Sequence, residues 1–202
     1  MRSWPIILGA RLLPVAALAA AGLALSGTGS SDAPPSGPEA RSEPAGVHPA
    51  TTVRFRRPPA DACAALPAKT VRKLVPGAPT GGTALQSSDL NRRTGCSWHA
   101  LDGYDYRWLD ITFTVAPPTA PRPAAPEGRR LTGLGDAAGI RERLTTEDDQ
   151  QTREAVLTVR VDNAMLTVTY NGSDFESGTA PGATAIREGA LSAARAALPA
   201  LR

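Results

Sequence analysis

Ser97, His99 and Asp102 fall close together in the chain, and a serine, a histidine and an aspartate are the parts of a hydrolytic triad. A triad needs its nucleophile and base within hydrogen-bond reach. Residues two apart on an extended strand are separated by about 7 Å, so Ser97 and His99 on one strand do not meet directly, and Asp102 lies in a turn signal. The chain has two histidines, and the other, His48, sits in a proline-rich stretch. The spacing therefore argues against catalysis, and the expectation is a protein that is not an enzyme, with a secreted hydrolase using His99 as the alternative.

Three further motifs lose their chemistry once their context is considered. "GLGDAA", Gly133 to Ala138, matches a loose dinucleotide-loop pattern, but no apolar strand precedes it and no amphipathic helix follows, so it reads as a turn entering a strand. Glu147, Asp148 and Asp149 are adjacent acids without the spaced oxygen ligands of a calcium loop. "VRFRRPP" and "KTVRK" are short basic clusters, read here as solubilising. No cofactor and no metal are expected. Cys63 and Cys96 are the only cysteines, spaced as no metal site requires, and in an exported chain they read as one disulfide.

The aromatic residues are more informative. The chain has three tryptophans, three tyrosines and three phenylalanines, and Trp98, Tyr104, Tyr106 and Trp108 crowd around "YDYRW". Rings on an open sheet face can stack on sugars, apolar ligands or partner side chains, so Tyr104, Tyr106, Trp108 and neighbouring His99 are the candidate ligand-binding residues. Two plainer fates compete: the loop Ala116 to Gly128 folds over them, or they pair across strands with Ser97 and His99.

The N-terminus says where this happens. Arg2 and Arg11 precede an uncharged apolar run, Leu12 to Leu25, which as a helix of about 21 Å is short of the bilayer core of roughly 30 Å. With small residues at Ala24 and Ser26 it reads as a signal peptide, residues 1–26. "LSGT" ends on Thr28 where a lipoprotein would carry its acceptor cysteine. Residues 27–59, rich in Pro, Gly and Ser, read as a disordered linker, and 60–202 as a single extracytoplasmic domain, secreted or held in the cell envelope. Membrane association is expected only if the leader is uncleaved. The formal charge of +3 falls by two to +1 once Arg2 and Arg11 leave, so there is no basic footprint for nucleic acid.

The elements that position the aromatics follow from periodicity. Asp102-Gly103 is a two-residue turn signal. It places Cys96 opposite Leu109, Ser97 opposite Trp108, Trp98 opposite Arg107 and His99 opposite Tyr106. Leu109, Ile111, Phe113 and Val115 alternate with polar residues and define the buried side, which Cys96 shares. Tyr104, Tyr106 and Trp108 then fall on the other. A second hairpin turns near Asp162-Asn163 with Ala155, Leu157, Val159, Val161, Ala164, Leu166, Val168 and Tyr170 on one face, and Ala137 to Leu144 adds a strand. Helices are expected at Asp61 to Val75, broken by Pro67, and at Thr184 to Leu198 with its stripe Ile186, Ala190, Ala193, Ala194 and Ala197. The fold class is α+β: one antiparallel sheet of about five strands, two helices packed on one face, and one disulfide.

Taken together, "ADACAAL" leading to "VRKLVPGAP", then "GCSW", "LTGLGDAA", "VRVDNAMLTVTY" and a final Ala-rich helix resemble small actinobacterial cell-envelope lipoproteins of unknown function. That domain family is similar to the extracellular sensor domain of mycobacterial PknH-type receptor kinases. The resemblance implies an α+β envelope domain with a disulfide at the positions of Cys63 and Cys96, and it brings no catalytic residues; Thr28 departs from it. The function expected is a non-catalytic binding or sensor-like module, or else a structural or inhibitory partner protein. Its ligand would be an envelope polymer, a small apolar ligand or an envelope protein.

Overall fold

The computed structural model describes residues 52–201. The leader, Thr28, His48 and the linker up to residue 51 lie outside them.

Alternation of apolar and polar residues builds the sheet. In β3 (Asp105–Val115), Leu109, Ile111, Phe113 and Val115 are buried while Asp110, Thr112 and Thr114 face the other way. The same period governs β6 (Gln150–Val161) and β7 (Ala164–Asp174), whereas β2 (Arg93–Asp102) buries Thr94 to Trp98 without a break and β5 (Ala137–Glu147) is exposed from Arg141 onward. Two short strands, β1 (Thr83–Ala84) and β4 (Arg129–Leu131), close the edges. The order is β1-β2-β3-β7-β6-β5-β4, every pair antiparallel. The sheet thus has seven strands rather than about five. The added two have two and three residues, too few for an alternation to be read from sequence.

The first hairpin turns one residue later than the sequence reading places it. Asp102 pairs with Asp105 around Gly103-Tyr104, so Cys96 faces Ile111, Trp98 faces Leu109 and His99 faces Trp108. Gly103 has φ 64°, and the first central position is where a type II′ turn requires glycine. Moving a two-residue turn by one position shifts the pairing by two, which keeps every side chain on its face. Trp98 is accordingly core, its indole N–H donating to Thr80 O.

The inner face is covered by helices. A single 3-10 turn, Cys63–Ala65, opens on Asp61, whose carboxylate accepts the Cys63 and Ala64 N–H groups, and Pro67 separates it from α1 (Ala68–Leu74). The second helix, α2 (Ala183–Ala197), buries Ile186, Ala190, Ala193, Ala194 and Ala197 against β6 and β7. Both helices converge on Tyr170. Its hydroxyl donates to Leu74 O of α1 at 2.6 Å, and its ring lies against Gly189 of α2, where a Cβ would stand 2.2 Å from ring carbon Cε1. The Cys63–Cys96 disulfide pins the 3-10 turn to β2.

Phe55, within the stretch read as linker, is 1% exposed. It is held by Asn163 of the β6–β7 turn, whose side chain accepts the Phe55 N–H and donates to Phe55 O and Ala116 O. Burying such a ring stabilises by roughly 2 to 3 kcal/mol.

Candidate functional site

The helices occupy the inner face, so the loop from β3 to β4 must cross the outer one. It does so over one half only. Ala124 to Pro126 lie over Val156, Thr158 and Met165, and Arg160 donates to Pro123 O at 3.0 Å. The loop therefore runs over β5, β6 and the Ala164 end of β7, and does not fold over the aromatics at the Gly103 end.

There the outer face carries a continuous strip of rings. His99 and Trp108, cross-strand partners, have centroids 5.1 Å apart; Trp108 and Tyr106 meet at 6.3 Å and 76°; Tyr106 and Phe175 lie 5.8 Å apart. Tyr104 at the turn, Leu101, Trp108 and Phe175 are 57%, 55%, 36% and 50% exposed, which makes an apolar patch rather than a lone ring. The indole N–H of Trp108 donates to the Asp110 carboxylate at 2.7 Å. Burial first, and then the nearby Asp110 charge, push the Tyr106 phenol above its ordinary range.

All four candidate residues, Tyr104, Tyr106, Trp108 and His99, come to this one end of the sheet. Phe175 joins them unannounced. It follows β7, which β3 adopts as its neighbour, and its N–H donates to Tyr104 O at 2.9 Å. Sequence spacing could not place it there, because residues 104 and 175 meet only through a long-range strand pairing. Asp110 was legible only as a polar residue between buried ones.

The hydrolytic arrangement does not assemble among these residues. His99 is stacked on Trp108; Ser97 is buried with its hydroxyl unpartnered, and Asp102 lies on the other side of its strand. Among the described residues, no group of three or more His, Cys, Asp or Glu is placed to hold a metal ion. Gly133 and Gly135 occupy a turn that leads into β5, and Asp148 and Asp149, both left-handed with φ 47° and 62°, form the β5–β6 turn.

The alternation within "YDYRW" serves two faces. Tyr106 and Trp108 belong to the outer strip, whereas Asp105 and Arg107 point inward and form an ion pair. That pair lines a cleft of about 360 Å³ between α1, α2 and the sheet, with Lys73, Tyr170 and Glu188. Burial dominates the raised Tyr170 pKa, and the Arg107 charge opposes it. Two cations and two anions make the cleft nearly neutral, and the Arg107 guanidinium is already spent on Asp105 and Tyr106 O.

Compared with family models, curated proteins and solved structures, the chain matches none.

Proposed function

We propose that this protein is an exported, non-catalytic envelope binding module, a relative of the small actinobacterial lipoproteins its motifs resemble, which meets its ligand with the outer-face strip of His99, Tyr104, Tyr106, Trp108 and Phe175. One observation carries the reading: half of the outer face is sealed by the chain's own crossover loop, and the uncovered half is where the exposed rings gather. Solvated aromatic area of this kind costs hydration free energy that a ligand would recover. The Cys63–Cys96 bond supports an oxidising compartment, in agreement with the leader. No described helix is long and apolar enough to cross a membrane, and the tether, if any, rests on the Leu12 to Leu25 segment.

The test is retention of the exported chain on isolated cell envelopes, against Trp108→Ala and Tyr106→Ala variants. Retention lost in both, with unchanged thermal unfolding, supports the module. Retention that ignores both substitutions refutes it. An activity of the wild-type protein on wall glycans or peptides that disappears in His99→Ala would return the reading to a hydrolase.

A further inference from the structure

The electrostatics of the strip specify its ligand further. The chain is arginine-rich, yet on the outer face neither Gly95 to Leu101 of β2, nor Tyr106 to Thr114 of β3, nor Met165 to Ser173 of β7 presents a lysine or arginine. Asp110 stands in the middle of this surface and forms no ion pair among the described residues. Asp102, Asp105 and Asp174 are direct cross-strand partners on three adjacent strands, but they share the inner face with the Asp105–Arg107 pair and lie on the side away from this surface. Like charges placed opposite each other weaken a sheet, and Arg107 answers them by pairing with Asp105 and by its charge near Asp174. Arg54, Arg56 and Arg57 lie at the opposite end, where Arg92 donates to Arg56 O, and Arg141 and Arg143, on the outer face, stand on β5, three strands away from β3.

Ring geometry points the same way. A flat platform for stacked sugar rings needs coplanar aromatics, but Tyr106 and Trp108 stand at 76° and make two walls of a corner. A carboxylate lies at the foot of one wall. Two perpendicular ring faces with an adjoining anion suit a cation carried on an alkyl stem, whose charge is attracted by the π faces and whose methylenes cover the rings. Resting on the binding-module reading above, we infer that the Tyr106–Trp108–Asp110 corner receives an arginine or lysine side chain from a basic segment of a partner protein. The Asp110 charge, which no ion pair answers among the described residues, then steers that segment.

The experiment titrates the exported chain with a Gly-Arg repeat peptide, with the same peptide carrying citrulline for arginine, and with a neutral oligosaccharide. The three titrations are repeated in Asp110→Asn and Trp108→Ala. Asparagine can still accept the Trp108 indole N–H, so that variant removes charge and keeps the corner. Expected are saturable binding of the arginine peptide, a loss of about tenfold with citrulline or Asp110→Asn, a larger loss with Trp108→Ala, and weakening with added salt. Equal affinity for the arginine and citrulline peptides overturns the inference. So does Trp108-dependent binding of the neutral sugar that ignores Asp110→Asn, although the binding module itself then stands. Self-association of the chain that Asp110→Asn abolishes would give the corner to a second copy's Arg54 to Arg57 segment and overturn the separate partner. Absence of peptide binding alongside Trp108-dependent envelope retention rejects the cationic ligand alone; absence of both rejects the two proposals together.

Discussion

Gly189→Ala opposes two rules whose magnitudes differ. Alanine is favoured over glycine in a helix interior by about 0.8 to 1 kcal/mol, and Gly189 lies in the middle of α2, so helix propensity predicts a gain. The tertiary setting predicts a loss. The new Cβ would stand 2.2 Å from Tyr170 Cε1 and 2.6 Å from Cδ1. The ring cannot retreat freely, because it is 5% exposed and its hydroxyl is fixed to Leu74 O at 2.6 Å. Either α2 lifts from the sheet, an overpacking cost of about 1 to 3 kcal/mol, or the ring swings and leaves a buried carbonyl unpaired, a cost of the same order. Subtracting the propensity gain leaves a net destabilisation of up to about 2 kcal/mol. Urea unfolding followed by circular dichroism measures it. The decisive control is Gly189→Ala in a Tyr170→Ala background, where the obstacle is gone and the substitution should turn neutral or stabilising. A more stable single variant, or the same effect in both backgrounds, would refute the packing argument.

Asn163→Ala removes three hydrogen bonds and strands the Phe55 and Ala116 backbone groups. It should cost about 3 to 5 kcal/mol in urea unfolding and expose the Phe55 segment to limited proteolysis ahead of the rest. Tyr170 has a raised phenol pKa, so the folded state holds that proton more tightly than the unfolded chain. Its stabilising contribution is then full below about pH 10 and is lost as pH rises through the folded value; melting temperatures between pH 8 and 11.5 should fall less steeply in Tyr170→Phe than in wild type. Replacing both Cys63 and Cys96 by alanine opens the 33-residue separation that the bond closes. The expected loss is about 3 to 4 kcal/mol, and calorimetric melting with and without reductant should reproduce the direction in the wild-type protein.

Side-chain faces were legible in the sequence, because the alternation along a strand is a local property of the pleat. Leu109, Ile111, Phe113 and Val115 fall on the core side and Tyr106 and Trp108 on the other, even though the turn lies at Gly103-Tyr104 and the register differs by two. The pairing of Cys63 with Cys96, the stripe of α2 and the five long strands were legible for related reasons: cysteine number, helical period and segments long enough to show a repeat. Strand order was not. That β7 rather than β5 lies beside β3 depends on long-range pairing, which no local period encodes, and this choice alone brings Phe175 to Tyr106. The course of the Pro-rich crossover was also decided by the whole fold: the helices fill the inner face, so the loop must take the outer one, and Arg160 and Asn163 hold it at the far half. The residues of the strip were thus written in the sequence, while their exposure was settled by where the rest of the chain had room to pass.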